Sequence, residues 1–454
     1  MTIWNPEIAQ RSGPTYRAIA DALAEDIETG DLRPGDRLPT HRDLAARVGV
    51  TLTTVTRAYA EAERRGLTEG TVGRGTFVSA RKLERQAKGA MDLRVNALFP
   101  HTFGDELKAI MARIAGSASA EALFHYPPSA GAPQHRAAGS SWIARSGLEA
   151  PGERLLLTSG AQHALSLVLA VLTHPGDVIF VEELTYVGMI SLAEQLHVEL
   201  HPIAMDDGGM IPDALEAACG TQRGKVLYCM PSGQNPTASV MPAKRRQEIA
   251  RIAEAFELAV VEDDTYGFTV DDLPPLSAQI PTQSYYIAGT SKSLLPGFRI
   301  GYLLAPDQGM AEELEASICA STMAVAPSMA EMLTAIIADG TAARIVAWKR
   351  REIATRQRVA RRILDESLIE GDERSMHLWM RLPAPWSNDG FGSAAAREGV
   401  QLCSADAFSV DPDSTTRAVR ICLGAAPGAV ELEETLKLIA NLAIRRPARR
   451  TMAV

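Results

Sequence analysis

Apolar positions change their period along this chain, and the changes divide it. Tyr16, Ile19, Ala20, Leu23 and Ile27 recur at helical spacing with Gly30 as a stop signal, which predicts one amphipathic helix. The turn Arg33-Pro-Gly-Asp-Arg-Leu-Pro39 leads to Thr40, a candidate N-cap with Asp43 three residues on, opening a short helix that closes at Gly49. Thr51 to Thr54 caps a further helix through Val55, Tyr59 and Ala62 to Gly66. Two short helices joined by Gly49-Val-Thr51 have the pattern of a helix-turn-helix. Leu67-Thr-Glu69 and Thr76-Phe-Val78 then flank Gly73-Arg-Gly75, predicting a hairpin wing with Arg74 at its tip. Residues 80–90 are polar and basic with no apolar period, as in a linker.

Beyond Met91 short apolar runs alternate with longer helical segments. Leu155–Leu157, Val178–Val181, Val226–Cys229, Ala259–Val261, Tyr286–Ala288 and Tyr302–Leu304 read as buried strands. Strand-helix alternation over this length predicts a mainly parallel sheet covered on both faces. From about Ile345 a charged helix and then strands such as Val419–Leu423 predict a smaller α+β lobe. The expected domains are therefore 12–79, a linker at 80–90, and 91–454, the last divided into a large lobe to about 344 and a C-terminal lobe over about 345–445.

Composition narrows the functional classes. The 454 residues are 46% hydrophobic and 22% charged, with a net charge of -9, which argues against a protein that coats nucleic acid or an anionic membrane. A small DNA-reading module on an acidic body remains compatible with that charge. No apolar run reaches the length of a membrane span, and Met1–Glu7 lacks the basic start and apolar core of a signal peptide, so a cytoplasmic location is expected. Five cysteines without C-x-x-C spacing suggest neither a disulfide framework nor a zinc site, and no metal is expected.

The runs Pro34–Ala45 and Gly49–Tyr59, with the wing behind them, closely resemble the winged helix-turn-helix of GntR-type regulators over residues 15–79. The resemblance implies that Arg42, Thr53, Thr54 and Arg57 face double-stranded DNA, and that Arg74 with Gly75 places the wing. Arginines suit phosphates and guanine edges, and threonines at a helix start suit phosphate oxygens. Leu52 departs from the pattern, since related regulators often carry an arginine there. The plainer alternative is a helical docking module with solvated arginines; the acids Asp21, Glu25, Asp26 and Glu28 of the first helix fit it, and otherwise must point away from DNA.

The large domain places a polar group after each strand, where open α/β sheets bind ligands. Gly289-Thr-Ser-Lys292 follows one strand and Arg299 stands seven residues after the lysine. This segment resembles the cofactor-lysine segment of fold type I aminotransferases, which use pyridoxal 5′-phosphate (PLP). The resemblance implies that Lys292 forms the aldimine, that Gly160, Ala161 and Gln162 form the phosphate cup, and that Tyr186 stacks on the ring. It implies further that Asn235 and Tyr266 contact the ring oxygen and that Asp263, with Asp264 as competitor, faces the ring nitrogen. Thr290, Ser291 and Arg299 would hold the phosphate, Arg420 a substrate carboxylate, and Tyr126 the phosphate of a partner in a head-to-tail homodimer. Two positions depart from the family: Ala238 replaces a signature glycine, and Gly289 a hydroxyl residue. Taken singly, each motif has an ordinary reading as a turn, a core tyrosine, a solvated acid or a surface arginine; their common order is what carries the resemblance.

The two halves together resemble the MocR group of regulators. The function this implies is transcriptional control in which PLP, or a small amino compound reacting with it, is the effector. The alternative is a working aminotransferase, a transferase with an attached DNA-binding head; a third reading makes the large domain a cofactor-free dimerisation platform.

Overall fold

The computed structural model describes residues 4, 6, 14–28, 32, 36–64, 67–71, 75–78, 91–117, 120–270 and 272–445. They form two compact units, the first ending at Met91 and taking in Arg397–Val400, the second holding the rest. Arg74, the linker 80–90 and the Arg33-Pro-Gly part of the first turn lie outside the described residues.

The first unit is built on α1 (Thr15–Glu28), α2 (His41–Val48) and α3 (Leu52–Arg64). Ile19, Leu23 and Ile27 of α1 bury against Leu44 of α2 and Val55, Tyr59 and Ala62 of α3, which explains their helical spacing. The Thr40 hydroxyl accepts from the Asp43 amide at 3.2 Å and donates to the Asp43 carboxylate at 2.7 Å, a cap that fixes where α2 starts. Thr51 does the same for α3, accepting from the Thr54 amide at 3.2 Å. The wing is the antiparallel pair β1 (Thr68–Thr71) and β2 (Gly75–Val78), with Thr68 opposite Val78. Arg37 adds an isolated antiparallel bridge to Phe77, with the Leu38 amide donating to the Thr76 carbonyl and the Val78 amide to the Asp36 carbonyl.

The second unit centres on a seven-stranded sheet. Its strands are β3 (Leu155–Thr158), β4 (Val178–Glu182), β5 (Glu199–Ile203), β6 (Gly224–Cys229), β7 (Ala259–Asp263), β8 (Ser284–Gly289) and β9 (Gly301–Leu304), in the spatial order β3-β9-β8-β7-β6-β4-β5. Only β9 runs against its neighbours. Leu156, Ile287 and Leu303 pack into one apolar cluster and Leu155, Leu157, Tyr286 and Tyr302 into another, so both faces of the sheet are buried. That two-sided burial is why these strands read as continuous apolar runs. The edge strand β5 was not expected, and its composition hides it: Glu199-Leu-His-Pro-Ile203 is largely solvent-facing and includes a proline.

The helix α4 (Thr341–Ile363) leads into a four-stranded antiparallel sheet that includes β10 (His377–Arg381) and β11 (Ala418–Cys422). No helix among the described residues is long and apolar enough to cross a membrane.

Candidate cofactor site

Because six of the seven strands run the same way, their carboxyl ends share one edge, and the loops leaving β3, β4, β6, β7 and β8 meet there. A cavity of about 480 Å³ opens at this edge. Its wall brings together Lys292, Asp263, Tyr266, Asn235, Arg299 and Arg420, drawn from positions up to 185 residues apart. Ala161, Gln162, Tyr186 and Ser291 line it as well.

Lys292 sits in a single helical turn, Thr290–Ser293, at the end of β8. Its nitrogen donates to the Asn96 carbonyl at 2.5 Å. Burial lowers its pKa below the usual lysine range; Cys422 and Asp263 oppose this, while Arg420 and Arg299 add to it. Deprotonation to the nucleophilic amine is thereby made easier.

Asp263 ends β7 and is buried. Its Oδ1 accepts from the Thr265 amide at 3.1 Å and hydroxyl at 2.6 Å, and its Oδ2 from the Tyr228 hydroxyl at 3.1 Å. Burial raises its pKa, and these hydrogen bonds with the Lys292 charge hold the rise back. A cation beside it would favour the carboxylate form further.

Asn96 joins the lysine to two more groups. Its Nδ2 donates to the Tyr266 hydroxyl at 2.9 Å and lies 2.9 Å from His377 Nδ1. Burial, with Arg420 beside it, pushes His377 down to about 3, so the ring is neutral. Since His377 Nε2 lies 3.1 Å from the Gln234 carbonyl, Nε2 carries the proton and Nδ1 accepts from Asn96. Burial also raises the Tyr266 pKa, keeping its hydroxyl protonated.

Arg420, on β11, is 7% exposed and has no carboxylate partner among the described residues. Its Nη1 donates to Asn235 Oδ1 at 2.7 Å and its Nη2 to the Arg94 carbonyl at 2.6 Å, while the guanidinium lies 4.8 Å from the Phe408 ring centre. Arg299 is exposed, with one long contact of 3.5 Å to the Ser159 carbonyl. Its φ of 50° is uncommon for a residue with a side chain and directs the guanidinium over Gly160. Gly160 has φ 95°, and a Cβ there would lie 3.2 Å from Arg299 Nη2, so glycine serves both the turn and the close approach.

Two expected contacts are placed differently, those of Thr290 and Thr54. Thr290 does not line the cavity: it is fully buried, and its hydroxyl donates to the Ile300 carbonyl at 2.6 Å. Tyr126, expected to reach the phosphate of a partner, is 88% exposed and does not line the cavity of its own chain. In the first unit Arg42, Thr53 and Arg57 are exposed, but the Thr54 hydroxyl is engaged with that of Thr51 at 2.8 Å as part of the cap. Arg57 lies 5.7 Å from the Tyr16 ring centre, and Gly75 opens β2.

In and behind the cavity wall stand residues with no motif to announce them, Asn96 and Thr265 on the wall and His377 buried behind it. Asn96 and His377 meet Tyr266 and Asn96 across 170 and 281 residues, so no local spacing reveals them. Thr265 had a detectable signal, an Asp-x-Thr turn that returns its hydroxyl to Asp263. It also accounts for Gly289: a Cβ there would lie 2.8 Å from Thr265 Oγ1, so this hydroxyl takes the space of a larger residue.

The residues present fit PLP. Four cationic residues, Arg94, Lys292, Arg299 and Arg420, line the cavity with the amide-rich start of the helix Ala161–Leu172 and one carboxylate, a set suited to a ligand carrying a phosphate. Gln162 Oε1, Asn96 Oδ1 and Arg420 Nε are buried without a hydrogen-bond partner among the described residues, and all three belong to cavity-lining side chains.

Comparison with known proteins agrees with the two halves of the chain. The model of aminotransferase class I and II matches residues 88–439, and that of the bacterial regulatory proteins of the gntR family matches residues 15–78. The uncharacterized HTH-type transcriptional regulator YdeF of Bacillus subtilis strain 168 is 32% identical over 97% of this chain and 96% of its own length. In fold, the second unit is similar to an archaeal alanine:glyoxylate aminotransferase (TM-score 0.73, 24% identity, 79% of this chain and 92% of that one). It is likewise similar to Pyrococcus horikoshii kynurenine aminotransferase (TM-score 0.72, 22% identity, 80% and 93%). A winged helix followed by a PLP-type aminotransferase fold, matched along nearly the whole length of a regulator, identifies this chain as a GntR-type transcriptional regulator of MocR-like architecture, belonging to the aminotransferase class I and II family.

Proposed function

We propose that the second unit senses PLP, or a small amino compound that reacts with it, at Lys292, and that this state sets the affinity of the first unit for its operator. The observation that carries the reading is the convergence of Lys292, Asp263, Asn235, Tyr266, Arg299 and Arg420 on one cavity. PLP would supply an aldehyde that accepts amines and an electron-withdrawing ring. Lys292 would be its amine anchor and Asp263 the carboxylate facing the ring nitrogen. Asn235 and Tyr266 would hold the ring oxygen, Tyr186 the ring face, and Gly160, Ala161, Gln162, Ser291 and Arg299 the phosphate. Arg420 would bind the effector carboxylate by a charge-assisted pair. Thr290 has no part in the phosphate site in this reading.

DNA would be met by Arg42, Thr53 and Arg57, with Arg74 and Gly75 at the wing, in a chain divided as 12–79, 80–90 and 91–454. Phe124 and Tyr126 are 89% and 88% exposed, and with Phe99 and Met111 they leave apolar surface of the kind a second copy covers, which supports a homodimer. An effector changes DNA affinity only by its differential stabilisation of two states. Titrating PLP-loaded protein with amino compounds while following both cofactor absorbance and operator binding tests this. A spectral change that leaves DNA affinity unmoved overturns the sensing role.

A second reading, catalytic transamination in the cytoplasm, is favoured by the presence of Lys292, Asp263, Tyr266 and Arg420 on the same wall. Release of a keto acid over many turnovers would establish it.

A further inference from the structure

A second cavity, of about 440 Å³, is lined by Trp142, Arg145, Asp264, Phe268, Tyr286 and Arg350. Its size suits a small organic molecule. The carboxylate of Asp264 is its distinctive feature. Asp264 is 8% exposed; its Oδ2 accepts from the Tyr286 hydroxyl at 2.5 Å, but the buried Oδ1 makes no well-formed hydrogen bond among the described residues. Burial, with Glu262 close by, pushes Asp264 up to about 7, and Tyr286, Arg246 and Ser232 offset this only in part. A buried acceptor without a partner costs stability, and a cationic donor supplied by a ligand would recover that cost. The wall sets Trp142, Phe268, Tyr286 and Val346 beside the polar Ser146, Ser293 and Arg350, whose Nε donates to the Phe268 carbonyl at 2.6 Å, and at the rim Arg145 lies 5.2 Å from the Trp142 ring centre.

We propose that this cavity binds a small organic ammonium compound, with its amine on Asp264, its apolar body between Trp142 and Phe268, and any carboxylate it carries at Arg145. The site is separate from Lys292 and regulatory in character. Thr265 lines both cavities, and its hydroxyl holds Asp263 Oδ1 at 2.6 Å. A ligand that orders the Asp264-Thr265 turn therefore acts on the carboxylate of the first cavity, and the coupling is reciprocal. This coupling rests on the sensing role proposed above, whereas binding in the second cavity does not.

The test is calorimetric titration of the full chain, with and without PLP, using N,N-dimethylphenylalanine. Its tertiary amine cannot condense with an aldehyde, so it leaves the chemistry at Lys292 untouched. Saturable binding of one molecule per chain is expected in both states. Asp264→Asn, in which an amide replaces the acid at similar volume, and Trp142→Ala should each weaken it at least about tenfold. Hydrocinnamate, which lacks the amine, should bind at least about tenfold more weakly than the amine. PLP absorbance in both variants reports that the fold and the first cavity are intact. Absence of saturation up to on the order of 10 mM, unchanged affinity in both variants, or hydrocinnamate binding as well as the amine would each overturn the proposal. Failure of the wild-type chain to take up PLP would count against the sensing role alone, because the titration without cofactor still decides the second site.

Discussion

Asp263 and Asp264 are consecutive residues whose carboxylates line different cavities. Successive side chains at the end of a strand point to opposite faces, so one residue of register separates the two environments. Asp263→Asn is expected to weaken PLP binding at least about tenfold, and Asp264→Asn to change it by less than about twofold. An absorbance titration of the two variants checks this, and the reverse ranking would exchange the roles of the two acids.

Among the described residues Arg420 bonds to neutral partners only, Asn235, the Arg94 carbonyl and, at 3.9 Å, the Cys403 sulfur, in a cavity with a single facing carboxylate. Arg420→Ala should cost amino compounds that carry a carboxylate about 1.5–3 kcal/mol of affinity, the range of a hydrogen bond to a charged group. Simple amines should lose much less. Spectral titration with an amino acid and its decarboxylated amine separates the two effects.

Lys349 of α4 is fully buried and donates to the Lys292 carbonyl at 2.7 Å. Burial, then the Lys292 charge, pushes its pKa down to about 7. Between that value and the ordinary lysine value of about 10.4, the unfolded chain binds a proton that the folded chain does not, so stability rises with pH in this window. Lys349→Met removes that rise, by up to about 1.4 kcal/mol per pH unit. Relative to wild type, the variant is expected to fare best near pH 7 and to lose ground toward pH 10 in chemical denaturation. Parallel stability profiles would show that Lys349 keeps its charge.

Leu52 is 47% exposed in the first turn of α3, between the exposed Thr51 and Thr53. Leu52→Arg is expected to tighten operator binding, and Arg42→Ala or Arg57→Ala to lower the salt slope by about one each. Anisotropy titrations over a range of salt read both quantities.

How much of this was legible in the sequence follows from where the partners lie. The strands ending at Thr158, Glu182, Cys229, Asp263 and Gly289 announce themselves because both their faces are buried, and each is followed within a few residues by a polar group that can only face the open edge. Glu199–Ile203 gives no such signal because a solvated edge strand needs no apolar run. Thr290 misled because a hydroxyl beside the cofactor lysine can reach a phosphate or a neighbouring carbonyl equally well, and here it meets Ile300. Asn96, His377 and Lys349 were unreadable for a different reason: their partners are brought to them only by the fold, across 57 to 281 residues.

The central claim is that the state of Lys292 governs DNA binding. Its most direct measurement is a footprint of the full chain on its own upstream DNA, with and without PLP and an added amino acid, for wild type and Lys292→Ala. The account predicts a specific wild-type footprint that PLP or the amino acid alters, and a variant that binds the same DNA without that response. A variant that responds as wild type does, or a wild-type footprint indifferent to both compounds, would contradict it.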